Sequence, residues 1–247
     1  MRTVVAVALT IAVSGACGCK HSELDTFHSQ WKKLPLSPLA GSFYLQQAES
    51  SPCVWQVQAS GDTVTIGRVS GRRTIAPDEV HLQFAGGTLV GENRGEWGGR
   101  LSVLESGNKV RREILTKNVL QMFPTRDGIE VITGDLAAND GSVWLFSKSD
   151  GSEWAIQKKA DLHGYPKAAA TTGNRTLLAY GDSVSIMENF SERQIAVLPL
   201  LGTWPNSIVQ DGRGDVYIGM NAFVVRLVSD RNGYSQQWFS QRDCLRW

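Results

Sequence analysis

The sequence predicts an all-β protein assembled from repeated four-stranded antiparallel units. Three observations carry that reading. The stretch from Trp204 to Leu227 reads as three short apolar strands, Ser207–Gln210, Asp215–Gly219 and Phe223–Leu227, joined by tight turns. The middle strand recurs: Asp215–Gly219 aligns with Thr176–Gly181, Ile129–Gly134 and Thr88–Gly91, and the closing glycines stand 38, 47 and 43 residues apart going back along the chain. Each copy also follows a glycine turn, at Gly212 and Gly214, Gly173, Gly128 and Gly86-Gly87.

A period of about 40–45 residues with four short strands per unit is how β-propeller blades appear in sequence. The strand before the middle one repeats as well. Tyr165-Pro166 stands where Trp204-Pro205 stands, 39 residues earlier, and Val119–Phe123 and Val80–Phe84 take the same place in earlier units. A more diverged unit precedes these, with strands expected at Ser42–Gln47, Cys53–Gln58, Thr63–Val69 and Arg72–Ile75. The prediction is a five-bladed β-propeller, or one of six blades, built of four-stranded antiparallel blades over residues 41–247.

The turn between third and fourth strands carries a motif. Ser147-Lys-Ser-Asp-Gly151-Ser-Glu-Trp154 resembles the Asp-box hairpin S-x-D-x-G-x-x-W, with Ser149 in place of the aspartate. Ser229–Gly233 is a more degraded copy. From about residue 40 onward the chain is similar to the broad propeller superfamily, which includes Asp-box and regulator-type sensor propellers. In such families the box is a structural hairpin, so the resemblance implies fold and no activity. Sialidases of this kind need three arginines, an acid and a tyrosine in a six-bladed ring. No arginine motif of that family occurs at the first blade.

Residues 1–19 read as a targeting segment: Arg2, then the apolar run Thr3–Ala12, then Ser14-Gly-Ala16 before Cys17. The run is too short for a stable membrane-spanning helix. Cys17 or Cys19 is the expected lipid acceptor if processing is of the lipoprotein type, although Ser14 stands where a large aliphatic residue is usual. The expected location is therefore extracytoplasmic: periplasmic, lipid-anchored or secreted. Residues 20–40, with mixed charge, Pro35, Pro38, His21 and His28, read as a tether.

With the leader removed, Cys53 and Cys244 are the remaining cysteines, one in the first blade and one after the last strand. First and last blades are neighbours in a ring, and an exported protein meets an oxidising compartment. A disulfide between the two is expected to fasten the ring, contributing roughly 4–5 kcal/mol in the chain-entropy picture.

Candidate ligand contacts lie on loops. Gly91–Gly99 contains four glycines and displays Glu92, Arg94, Glu96 and Trp97, with Trp97 either a stacking platform or folded back on its blade. The equivalent loop of the next blade, Asp135–Gly141, is acidic, but Asp135, Asn139 and Asp140 lack the regular spacing of a calcium loop. Blade connections add His163, Tyr165, Trp204 and Asn206. In a propeller both sets of loops emerge on the face where the channel opens. Tyr165 and Trp204 should stand side by side there, as ligand contacts or as structural wedges.

No catalytic, metal or phosphate-binding motif occurs, and no cofactor is expected. The net charge of +1 argues against a nucleic-acid partner. The Arg213-Gly-Asp215 tripeptide falls in a repeat turn and reads as turn chemistry. Together these predict an exported, monomeric, non-catalytic propeller that binds a carbohydrate or a peptide segment on its channel face. Its only expected membrane contact is an N-terminal lipid. One alternative is a glycoside hydrolase or lyase using Glu92, Glu96, Asp135 or Asp182 as loop carboxylates. Another is a scaffold for envelope proteins.

Overall fold

The computed structural model describes residues 31–34, 51–69, 79–107, 110–148, 153–198 and 204–244. The leader with Cys17 and Cys19, His21, His28, the strands expected at Ser42–Gln47 and Arg72–Ile75, and the centre of the box-like turn lie outside these residues. The described residues form nineteen strands in five antiparallel sheets. The first holds β2 (Val54–Ser60) and β3 (Thr63–Val69). The second holds β4 (Glu79–Phe84), β5 (Gly87–Glu92), β6 (Leu101–Glu105) and β7 (Arg111–Leu115), in that order. The third runs β8 (Val119–Thr125), β9 (Gly128–Asp135), β10 (Asp140–Lys148), β11 (Trp154–Leu162). The fourth runs β12 (Ala168–Thr172), β13 (Arg175–Ala179), β14 (Ser183–Glu188), β15 (Ser191–Val197). The last runs β16 (Pro205–Gln210), β17 (Val216–Met220), β18 (Val224–Asp230), β19 (Gly233–Gln241), with β1 (Trp31–Leu34) added outside β19. Among the described residues no helix is long and apolar enough to cross a membrane.

Each four-stranded sheet is an up-and-down meander whose first strand packs on the first or second strand of its neighbour: β8 on β4 and β5, β16 on β12 and β13, and β2 on β16 and β17. The second strands are apolar runs buried on both faces, as in β9 and β17, because a sheet lies on either side of them. The outer strands β11 and β15 alternate and face solvent. The core follows the same plan, with one apolar cluster between each of four pairs of packed sheets. Between the second and third sheets, Trp154 stacks on Phe146 at 4.9 Å and meets Phe84 edge-on at 4.8 Å. The tryptophan of the box-like motif thus works as a wedge between sheets. This arrangement is that of a β-propeller.

The repeated glycines have a steric cause. A Cβ on Gly91 would lie 2.4 Å from Val119 Cγ1, one on Gly134 would lie 2.8 Å from Tyr165 Cδ2, and one on Gly219 would lie 2.3 Å from the Trp55 carbonyl oxygen. In all three cases the obstruction belongs to the next sheet or to the connection that leads into it. Gly219 meets rigid backbone, so Gly219→Ala is expected to force the last and first sheets apart and to cost about 1–3 kcal/mol. Urea unfolding checks this; an unchanged midpoint would show that the junction yields freely. The bulges repeat too, between third and fourth strands at Leu101/Ser102, Val143/Trp144 and Val184/Ser185, where they increase local twist.

The first sheet departs from expectation. Cys53–Gln58 is predicted as a second strand. Instead β2 packs on β16 and β17 as β16 packs on β12 and β13, which is the innermost position. Its amide at Val57 donates to Ser207 Oγ at 2.9 Å, and Ala222 N donates to the Cys53 carbonyl at 2.8 Å. The Cys53–Cys244 disulfide forms at this junction, with Cα atoms 5.4 Å apart, in a buried cluster with Trp55, Val57, Tyr217 and Val224. Four residues of the segment read as a tether, Trp31–Leu34, are strand β1. Trp31 packs on Trp55 at 4.5 Å, and Leu34 joins the core.

Glu130 of β9 is buried against the fourth sheet and accepts one hydrogen bond, from Thr176 Oγ1 at 2.7 Å. Burial raises its pKa above the ordinary carboxyl value, and the Thr176 bond only partly opposes this. A folded-state pKa above the unfolded one means that stability is lost as pH rises from the unfolded value through the folded one. Glu130→Gln keeps an acceptor for Thr176 and removes the titration. It is expected to unfold later than the native protein at neutral pH, and the difference should shrink towards pH 4. Unfolding curves at several pH values measure it; a pH-independent difference would mean that Glu130 is not the titrating group.

Candidate functional site

A cavity of about 570 Å³ opens between the innermost strands. Its wall is largely apolar, formed by Val54, Val57, Leu120, Ile132 and Ile208 from β2, β8, β9 and β16. Polar groups stand above that wall, on or beside the connections between sheets: Asn93, Glu96, Tyr165, Lys167, Trp204 and Asn206. The meander places them together, because each connection into a first strand emerges at the same end of its sheet.

Lys167 is the group that the sequence reading passed over. Its backbone N–H donates to Ala179 O at 2.7 Å, which fixes the start of β12. Its ammonium lies 3.8 Å from the Trp204 ring centre and 4.6 Å from that of Tyr165. Two aromatic rings on successive blade connections therefore bracket one half-buried cation. The pair expected side by side is held by a shared lysine.

Asn93 and Asn206 stand beside the cavity with their side-chain amide nitrogens enclosed by the protein. Asn93 is only 4% exposed. Its Oδ1 accepts from Gly95 N at 3.0 Å, and that of Asn206 accepts from Ser207 Oγ at 3.0 Å. The amide orientations are thus set by the chain. Burial raises the pKa of the Tyr165 phenol, and the adjacent Asn93 side chain acts in the opposite direction.

The other predicted residues are placed differently. Glu92 is buried, and its carboxylate is held by Arg94, by Arg100 Nε at 2.8 Å and by Arg111 at 3.4 Å. The hydrogen bond from Arg100, foremost, lowers its pKa despite the burial. Glu92 thereby pins both ends of the glycine loop, and Asn118 secures its crest by donating to Gly95 O at 2.6 Å. The loop holds Glu96 at the cavity rim. Trp97 is 92% exposed and neither lines the cavity nor folds back on its sheet. Asp135 caps its own turn, accepting from Ala137 N at 2.9 Å and Ala138 N at 3.3 Å. Asp140 accepts from Asp135 N at 3.1 Å, and Asn139 from Tyr165 N at 3.3 Å. This loop is a brace beneath Tyr165.

His163 lies in a network behind the cavity. Its Nδ1 is 2.6 Å from Glu192 Oε1, its Nε2 is 3.1 Å from Ser183 Oγ, and its ring packs on Tyr180 at 3.9 Å. The acid–histidine–serine order looks like a nucleophile triad. However, Ser183 is buried and its hydroxyl donates to Asp182 at 2.9 Å. Tyr180 also donates to Glu192, at 2.7 Å, and burial, then Glu192, raise its pKa. The network anchors the connection that carries Tyr165 and Lys167.

The fold and cavity define the class: a β-propeller scaffold with a polar-rimmed channel cavity. No protein-family model matches the chain, and no curated protein matches it in sequence. Among solved structures it is similar to the N-terminal domain of Nup159, with 13% identity, a TM-score of 0.44, and coverage of 85% of this chain and 67% of that one. It is also similar to KlHsv2 with loop 6CD replaced by a Gly-Ser linker, with 11% identity, a TM-score of 0.37, and coverage of 73% and 64%. Nothing about function is taken from either likeness.

Proposed function

We propose that the protein is an exported five-bladed β-propeller that binds a ligand in its channel cavity without turning it over, and that the ligand is a peptide segment. The observation that carries this is the cavity of about 570 Å³ at the innermost strands, with a mostly apolar wall beneath a rim of polar and aromatic side chains. A peptide fits better than a sugar because Lys167 already occupies faces of both Trp204 and Tyr165. Those faces would otherwise stack on sugar C–H groups.

Turnover is disfavoured by the carboxylates. Glycoside hydrolysis needs two across the substrate. Among the described residues Glu96 alone lines the cavity, while Glu92 and Asp135 are committed to the fold. The buried disulfide accords with an oxidising, extracytoplasmic setting, and a lipid on Cys17 or Cys19 would supply an anchor.

The test is a thermal-shift screen of the chain from residue 20 against peptide pools, envelope oligosaccharides and calcium. A ligand at 100 times its Kd adds about 2.7 kcal/mol. The expected result is a shift by peptides that Ile208→Trp, which fills the cavity, abolishes. A shift by a sugar instead makes the ligand a carbohydrate. No shift removes the channel reading and favours the envelope scaffold, whose partner cross-linking would find.

A further inference from the structure

We infer that the channel cavity reads the main chain of its occupant: an uncharged, extended peptide segment whose backbone N–H and C=O groups pair with the side-chain amides of Gln56 and Gln121. This rests on the reading of the channel as the binding face and specifies its chemistry. Gln56 of β2 and Gln121 of β8 both line the cavity. Each is half-buried, and neither side chain makes a hydrogen bond among the described residues. Their amide atoms remain accessible, unlike those of Asn93 and Asn206. Asn221, in the β17–β18 connection, also lines the cavity with its side chain unbonded among the described residues. The charged residues of the lining, Glu96 and Lys167, both belong to connections at the rim, and the described wall strands add no charge to it.

The chemistry of these side chains sets the class of ligand. A side-chain amide offers an acceptor oxygen and an NH₂ donor and carries no charge. An ion brought to such a wall would give up water with no counter-charge to replace it. A peptide group gives up its water and regains both kinds of bond. In an extended chain the N–H and C=O of one residue point to the same side, as in an antiparallel ladder. One glutamine amide can therefore exchange two hydrogen bonds with one residue. The fold leaves space for this. Strand β12 packs between β8 and β16, and β2 packs on β16, so Gln121 and Gln56 stand on the two end strands of one inner arc. Between them β12 contributes only the small side chains of Ala168 and Ala169. Regular pairing also gives way at this level, with bulges between Val119 and Gln121 in β8 and between Pro205 and Ser207 in β16. The apolar wall of Leu120, Ile132 and Ile208 then takes uncharged side chains of the segment.

The probes are three pools of eight-residue peptides with blocked ends. The first has neutral side chains. The second is the same with alternate peptide links replaced by esters, which lack the N–H donor. The third carries Asp, Glu, Lys and Arg. A neutral oligosaccharide mixture is the fourth probe. Each is passed over the immobilised protein, and retention is quantified by mass spectrometry. The ester pool and the charged pool are each expected to be retained about tenfold less than the neutral all-amide pool. Gln56→Leu and Gln121→Leu should each lower retention of the all-amide pool about fivefold and leave that of the ester pool nearly unchanged. That loss of selectivity is not what a structural role would produce, and because neither substitution breaks a bond of the fold, both variants should melt with the native protein. Equal retention of the amide and ester pools, unaffected by the glutamine variants yet lost in Ile208→Trp, would overturn the main-chain inference and leave the binding face standing. Preferential retention of the charged pool would overturn it as well. Retention of the oligosaccharides in place of peptides would overturn the peptide class. No retention of any probe, or retention indifferent to Ile208→Trp, would remove both readings.

Discussion

Replacing Cys53 and Cys244 together by alanine is expected to lower the unfolding free energy by about 5 kcal/mol. The bond joins residues 191 apart in sequence, so it closes almost the whole folded chain into one loop. In the chain-entropy description such a loop restricts the unfolded ensemble strongly. Domains of this size have only 5–15 kcal/mol in total, so the variant should be marginal or unfolded at 37 °C. The first sheet should feel the loss most, because the bond fastens it to the last. Urea unfolding of the native protein, the reduced protein and the double variant measures the effect. The expectation fails if all three share one midpoint, or if both thiols titrate in the denatured, unreduced chain from residue 20.

Arg226→Leu is expected to cost about 3–5 kcal/mol by leaving a buried charge without its partner. Asp215 is 5% exposed, and its Oδ2 accepts from Arg226 Nε at 3.0 Å and Nη2 at 2.6 Å. Its Oδ1 accepts from Ser229 N at 2.9 Å, so the carboxylate also ties the end of β18 to the start of β17. Adding Asp215→Asn should return part of the loss, because the orphaned charge is then gone. If the double variant is no more stable than Arg226→Leu alone, the cost comes from Arg226 packing on Tyr217 and not from the charge. The same contacts settle the Arg-Gly-Asp tripeptide. Its aspartate is enclosed, and Asp211 Oδ1 accepts from Arg213 N at 2.9 Å and Asp215 N at 3.0 Å, which makes it a turn.

The parts of the fold that repeat were legible in the sequence. Gly91, Gly134 and Gly219 recur because at each of these three points a neighbouring part of the fold leaves no room for a Cβ. Their period thus reported a contact between sheets as well as a turn. The Cys53–Cys244 pairing followed from ring order in the same way. Strand β1 was not legible: four residues with two lysines carry no periodicity, and the edge of β19 decides their conformation. The position of β2 was missed because its partner is the last sheet, more than a hundred residues away in sequence.

The candidate site was legible in outline only. Tyr165 and Trp204 could be placed at one rim because they occupy equivalent repeat positions, and Asn206 because it shares the connection of Trp204. That Lys167 lies between the rings depends on the angle between neighbouring sheets, which no spacing reports. That Glu92 is consumed by three arginines depends on β7 bringing Arg111 beside the glycine loop. Reading loop carboxylates as available, by composition alone, overstates what the surface offers.

The added strand β1 has a consequence for solubility. The outer edges of the second, third and fourth sheets are β7, β11 and β15, and each carries charged side chains, such as Arg111, Lys159 and Arg193. Charge on an open edge discourages strand addition by another molecule. Strand β19, Gly233–Gln241, has no charged residue and is rich in glutamine and aromatics. Of these four outer strands it is the one without charge, and it is the edge that β1 covers, with exposed Lys32 and Lys33 outside it. The Trp31–Leu34 segment thus acts as a guard against polymerisation, and a chain trimmed past Leu34 would present a bare, uncharged template for aggregation.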